Sequence, residues 1–263
     1  MNYLEEYYGK FNEEKRFDSR HGQVEFIVTM RYVHRFMEQM RGDITDRPLR
    51  LIDIGAGTGR YAVPLADEGL EVCAVEPVKH NLSRMKAKSD RIKCMQRDAR
   101  DMHGVSDGYY DIALMLGPMY HLFSHEDKLK ALKETIRVMR PGGVIFVGYC
   151  MNEYAVVTYA LNEGHLSECL QAGRFTDDYH TISHEEDIYD YVRIEDIDRL
   201  MSDGGLKREI LFSPDGPTNY IRKTLKKLSD EEFDRYVDYV ASIAERHDLI
   251  GAAAHTVDVL KVI

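Results

Sequence analysis

The sequence predicts a doubly wound α/β fold, a mostly parallel sheet with helices packed on its faces. Three observations point there. Strand-like and helix-like apolar patterns alternate along much of the chain, a glycine-rich turn follows the first strand pattern, and 263 residues suffice to bury one sizeable core. A single domain with insertions fits this length better than two domains. The expected division is an N-terminal part over 1–48, holding helices and a possible lid, followed by a main domain over 49–263.

In chain order, Tyr3, Tyr7, Tyr8, Phe11 and Phe17 lie among acids and lysines in a segment suited either to a lid over a ligand or to an amphipathic helix docked on the domain. Arg20-His21-Gly22-Gln23 then offers donors beside a glycine. Phe26, Met30, Val33, Met37 and Met40 recur on one face of a helix that should pack on the sheet. Leu51-Ile52-Asp53-Ile54 reads as the first buried strand and ends in Gly55-Ala56-Gly57-Thr58-Gly59-Arg60. A second strand pattern ends in Ala74-Val75-Glu76-Pro77, and Arg91–Gln96 alternates like a third strand leading into Arg97-Asp98-Ala99-Arg100-Asp101.

Tyr110–Leu116 reads as a buried fourth strand, followed by Gly117-Pro118-Met119-Tyr120-His121. Ser124 to Asp127 has the form of a helix cap, and Leu129, Leu132, Ile136 and Met139 recur at helical spacing up to Arg140-Pro141-Gly142-Gly143. Val144–Val147 is the next buried strand. Glu195–Met201, closed by Asp203-Gly204-Gly205, reads as a helix, Lys207–Phe212 as a strand and His255–Ile263 as the last strand. Residues 151–192 and 213–254 interrupt this pattern at roughly forty residues each, far beyond an ordinary connection, and are expected to form a helical cap that builds a substrate pocket. Within the second, Ser229-Asp230-Glu231-Glu232 caps a helix with an apolar stripe from Phe233 to Ala244.

The glycine turn carries the functional reading. A tight strand-to-helix turn uses backbone angles closed to other residues, and a side chain there would hold a ligand away. Glu76, at the tip of the second strand, can accept the hydroxyls of a ribose, so the pair describes a nucleoside site. A dinucleotide site wants Gly-x-Gly-x-x-Gly, and here the third glycine position is Arg60. The spacing is instead Asp-x-Gly-x-Gly-x-Gly.

In that spacing, and in the order of the signals from Leu51 to Cys150, the chain resembles the class I S-adenosylmethionine-dependent methyltransferases. The resemblance implies a Rossmann-like, seven-stranded sheet with an antiparallel last strand and S-adenosylmethionine as cofactor. It implies that Asp53, Gly55, Ala56, Gly57 and Gly59 form the cofactor turn, that Glu76 and Pro77 hold the ribose, and that Asp98 and Ala99 lie beside the adenine. Leu116 completes the cofactor set, and Arg20 or His21 is placed to hold the methionine carboxylate. The loop after the fourth strand is where the reacting methyl sits in the family, making His121 a candidate base and Tyr120 a candidate orienting group, with a structural donor as the alternative for His121.

The expected reaction is methyl transfer to a small molecule by in-line displacement. An NAD-dependent oxidoreductase and a non-catalytic cofactor-binding protein are the alternatives. The formal net charge of −10 offers no basic face to a phosphate backbone, which disfavours a nucleic-acid substrate. Cys73, Cys94, Cys150 and Cys169 lie far apart with no Cys-x-x-Cys, as reduced core residues would in the cytoplasm. No apolar run approaches a membrane span, so no membrane partner is expected. His121 with His125 and His180 with His184 could share helical faces, but neither pair has a third ligand at motif spacing, so no metal is expected.

Overall fold

The computed structural model describes residues 19–184 and 186–263. The N-terminal aromatic segment, suited above either to a lid or to a docked helix, lies outside the described residues. Helix α1 (Arg20–Arg41) is capped by Ser19, whose hydroxyl accepts from the Gly22 amide at 3.4 Å. Its buried face, including Val28, Val33, Phe36 and Met37, lies on the sheet, and the Phe36 ring meets Phe146 edge-on at 5.5 Å.

The sheet contains seven strands: β1 (Arg50–Ile54), β2 (Glu71–Val75), β3 (Lys93–Met95), β4 (Tyr110–Met115), β5 (Met139–Cys150), β6 (Lys207–Phe212) and β7 (His255–Lys261). Their spatial order is β3-β2-β1-β4-β5-β7-β6. Strands β1 to β5 pair in parallel, and β7 inserts antiparallel between β5 and β6. All six residues of β4 are buried, as expected for a central strand covered on both faces. The strand order reverses between β1 and β4, and ligands of open α/β sheets bind beyond the carboxyl ends of the strands at such a point.

Helices α2 (Ala62–Asp67), α3 (Lys79–Lys88) and α4 (His125–Val138) connect these strands. Ser124 caps α4 by accepting from the Asp127 amide at 3.1 Å. Two expected boundaries differ. The third strand is only three residues long, and β5 begins at Met139 rather than Val144, because Met139 already pairs with Tyr110 before Gly142 turns the chain at φ +78°.

The first insertion carries α5 (Asn152–Ala155), a π-helical stretch (Val156–Asn162) and α6 (Leu166–Gln171), and α7 (Ile194–Asp203) follows it. The second carries α8 (Arg222–Leu225), α9 (Asp230–Ile243) and α10 (His247–Ile250). It caps a different part of the molecule from the first. Phe233, Val237 and Val240 of α9 join the core under α1, while Arg31 and Arg35 of α1 pair with Asp238 and Glu245.

Candidate active site

Beyond the ends of β1, β2 and β4 lies a cavity of about 620 Å³. Its floor is the glycine turn. Gly55 and Gly57 have φ of +72° and +54°, and both line the cavity. The Gly55 amide donates to Val75 O at 2.8 Å, which ties the turn to β2. A Cβ on Gly55 would lie 2.8 Å from the Pro118 ring, so glycine is needed both for the backbone angle and for the approach of the loop after β4. Gly59 has another role. A Cβ there would meet Met85 at 2.7 Å and Val63 at 2.9 Å, so it serves packing against α3, and it does not line the cavity.

Glu76 stands over this turn, 4% exposed. Its Oε2 accepts from the Gly57 amide at 2.8 Å, and its Oε1 accepts from the Val78 amide at 2.9 Å and from Asn81 Nδ2 at 3.3 Å. Burial raises its pKa, and these three donors oppose the rise. A carboxylate has about four lone-pair sites, so three are used and one on Oε2 is open to a ligand hydroxyl. Asn81 also lines the cavity. Asn81 was missed in the sequence because it reads as one more polar residue of a helix. The signal was an amide in the first turn of α3, five residues beyond the carboxylate, where the chain folds back on its own strand end.

Asp98 and Ala99 line the same cavity. Both Asp98 oxygens are held by Arg100, at 2.9 Å through Nε and 3.0 Å through Nη2, and Arg100 reaches on to Asp127 at 2.8 Å. Burial works against ionisation of Asp98, but Arg100 holds its pKa below the usual carboxylate range. Asp98 is therefore an anionic acceptor with its direction fixed. Arg100 and Asp127, also in the lining, were not read from the sequence, although a basic residue two positions after the acid was visible.

Asp53 lies beneath the turn, 3% exposed, and its Oδ2 has no hydrogen-bond partner. Burial, then the nearby charge of Glu76, pushes its pKa up to about 7. An orphaned carboxyl oxygen under a bare glycine turn fits a ligand carrying positive charge.

Tyr120 and His121 line the cavity from a 3₁₀ helix, Pro118–His121, that follows β4. His121 Nδ1 lies 2.8 Å from the Ile188 carbonyl, which can only accept, so Nδ1 carries a proton. The Asp190 amide donates to Tyr120 O at 2.8 Å, and Lys128 pairs with Asp190. The segment 188–190 of the first insertion is thereby stapled to the loop after β4, and Ser183, His184 and Asp187 join the lining. No local signal in the sequence announced that contact.

Several expected residues are elsewhere. Arg20 does not line the cavity: its guanidinium pairs with Asp230 at 2.7 Å, donates to Ser229 O and lies 4.8 Å over the Phe233 ring. A complementary carboxylate on α9 captured it, and that partner is 210 residues away. Ala56 is buried in the core, and Leu116 lies behind the loop, where its carbonyl would be 2.8 Å from a Cβ on Gly148. The four histidines of the two spaced pairs do not converge. His121 bonds Ile188, His125 bonds Asp203, His180 bonds Asp196, and the His184 amide bonds Asp187. Among the described residues one grouping has metal-like spacing, Glu25, Asp215 and His255, and there Asp215 is taken up by His255 Nδ1 at 2.7 Å and Asn219 at 2.7 Å.

Residues 52–147 match the methyltransferase domain family. A curated relative, an uncharacterized methyltransferase of Mycobacterium tuberculosis strain H37Rv, is 32% identical over 94 residues, which are 36% of this chain and 37% of that protein. A glycine/sarcosine N-methyltransferase of Parasynechococcus marenigrum is 26% identical over 104 residues, 38% of this chain and 37% of the relative. The chain thus matches only 37–40% of the length of the first of its curated relatives. Among solved structures, a methyltransferase of Thermotoga maritima described as a possible histamine N-methyltransferase aligns with a TM-score of 0.58 over 98% of both chains at 18% identity, which is a likeness of fold.

Residues 52–147 are thus similar to a methyltransferase domain, their motif order resembles that of the class I S-adenosylmethionine-dependent family, and the Thermotoga structure shares the fold. S-adenosylmethionine is the cofactor of that family, and the third-glycine position of a dinucleotide site is held by Arg60, whose guanidinium lies 4.4 Å over the Phe26 ring. Among the described residues no helix is long and apolar enough to cross a membrane.

Proposed function

We propose that the protein transfers a methyl group from S-adenosylmethionine to a small-molecule acceptor by direct in-line displacement. One observation supports this most: Gly55, Gly57, Glu76 and Asp98 open onto the same cavity as Tyr120 and His121, so a nucleoside grip and an acceptor-side loop share one chamber. The cofactor supplies an activated methyl on a sulfonium. Glu76 and Asn81 receive the ribose, Asp98 accepts from the adenine amino group with Ala99 beside it, and Asp53 sets negative charge under the turn. Tyr120 and His121 meet the acceptor. Positioning of this kind is worth up to roughly 7–11 kcal/mol of a barrier. Incubation with methyl-labelled cofactor and a panel of small acceptors tests the proposal. Label in a small product is expected, whereas cofactor binding with no transfer to any acceptor would favour a binding protein instead.

His121 acts in this reading as a proton acceptor through Nε2. His121→Ala should slow transfer to an oxygen acceptor by about 10²- to 10⁴-fold and leave cofactor affinity nearly intact. Unchanged turnover with an oxygen acceptor would remove His121 from the reaction.

Asp53 makes cofactor binding depend on pH. Its pKa is raised by burial to about 7, so in the unliganded protein its stability contribution is present below the unfolded pKa of 3.8 and is lost as pH rises through about 7. A cation bound above it favours the ionised form. Binding of S-adenosylmethionine should therefore tighten as pH rises from 6 to 8, and Asp53→Asn should flatten that profile. Calorimetric titration across this range checks both, and an equally steep profile in the variant would exclude Asp53 as the cause.

A further inference from the structure

The first insertion, a stretch rich in Tyr, His and acid, holds a second cavity of about 470 Å³. It meets the cofactor cavity at Ser183 and Asp187, which line both. Tyr189 forms part of its wall while its ring packs 5.5 Å from His121, so the two chambers are divided by one aromatic layer and joined beside it.

Charge in this second chamber is one-sided. Arg174 is the lining cation, and it is neutralised by a two-pronged ion pair with Asp187 at 2.7 and 3.0 Å. Glu168 and Glu186 remain in the lining without an opposing lining cation, Glu168 sharing a hydrogen bond with His165 at 3.2 Å. Tyr159, Phe175, Tyr189 and Tyr191 supply aromatic surface. Tyr191 is largely enclosed, and its pKa is raised chiefly by burial. Aromatic faces carry negative quadrupole potential, and carboxylates add to it, so an anion would meet repulsion there and a cation would be held.

We propose that this chamber binds the acceptor and that the acceptor is an organic cation with a second, nucleophilic end, such as a molecule carrying an ammonium group at one end and a neutral amine or ring nitrogen at the other. This rests on the methyltransferase reading above. The ammonium lies among the tyrosines, Glu168 and Glu186, and the nucleophile passes Ser183 and Asp187 to the side of His121. A nitrogen–carbon bond forms from the nucleophile's lone pair, and the sulfur–carbon bond breaks with its electron pair returning to sulfur. A proton on the methylated nitrogen leaves to His121 Nε2 or to water.

Choline and its neutral carbon isostere, 3,3-dimethylbutan-1-ol, differ in charge at nearly constant shape. Ligand-observed NMR titrations of both are made against the protein saturated with S-adenosylhomocysteine. Choline should bind at least tenfold more tightly. Tyr159→Leu and Glu168→Gln, at positions 49% and 75% exposed and so tolerant of change, should each weaken choline binding at least threefold and leave S-adenosylhomocysteine affinity unchanged. Equal affinity for the two probes, or choline binding indifferent to both variants, overturns the chamber proposal while intact homocysteine-product binding leaves the methyltransferase reading standing. Failure of the wild-type protein to bind S-adenosylhomocysteine would instead overturn that reading, and the chamber proposal with it.

Discussion

Glu76→Ala should raise the dissociation constant for S-adenosylmethionine by about 5- to 150-fold, the equivalent of roughly 1–3 kcal/mol. Two losses contribute. In the proposed function the carboxylate is the anionic acceptor for the ribose, and a charge-assisted hydrogen bond is stronger than a neutral one. It is also the tie that fixes the Gly57 amide at 2.8 Å and the Val78 amide at 2.9 Å, so its removal frees the glycine turn. Glu76→Gln separates the two: it keeps the shape but presents a donor to at least one position that needs an acceptor. Calorimetric titration checks both variants, and an unchanged dissociation constant for Glu76→Ala would detach Glu76 from the cofactor.

Asp111→Ala should have the largest effect on stability, about 3 kcal/mol, with a fall in melting temperature of roughly 6–12 °C. Asp111 is fully buried in β4 and receives Arg47 at 2.7 and 2.9 Å, the Arg50 amide at 2.8 Å and Arg140. It fastens the segment before β1, the start of β1 and the start of β5 at the end of the sheet away from the cavity. Burial opposes its ionisation, but Arg47 and the other donors hold its pKa below the ordinary value of 3.8. A lowered folded pKa means that this stabilisation is present at neutral pH and is lost as pH falls through the folded pKa. The two arginines are 24% and 29% exposed, so water can reach them when Asp111 is gone, and this keeps the loss at the lower end for a broken buried pair. Thermal melts of the variant against wild type check the expectation, and an equal melting temperature would mean the cluster contributes nothing net.

The parts of the fold written in local sequence were legible. The glycine turn, the carboxylate at the tip of β2 and the buried run of β4 each depend on residues a few positions apart, and each falls where the pattern placed it. The cap of α4 by Ser124 is of the same kind. Contacts between distant segments were not legible. Arg20 could be seen as a donor, but nothing near it disclosed Asp230. Gly59 looked like part of a ligand turn because the spacing repeats, while its neighbours in space are Met85 and Val63, which only the packing of α3 brings there. The staple of 188–190 on the loop after β4, and with it the second chamber, depends on how the first insertion folds back, and periodicity in that stretch is broken by a π-helical turn. The half of the cavity built on one short motif is therefore readable in the sequence, and the half where separate segments converge is hidden.

The central claim is that a ribose diol rests on Glu76 while the methionine end lies over the glycine turn. The most direct measurement is a calorimetric cycle of S-adenosylhomocysteine and its 2′,3′-dideoxy analogue against wild type and Glu76→Ala. The account predicts that removing the hydroxyls weakens binding to wild type, and that it costs clearly less in the variant, where the carboxylate that receives them is gone. Equal affinity of the two ligands for wild type, or full additivity of the two losses, would contradict it.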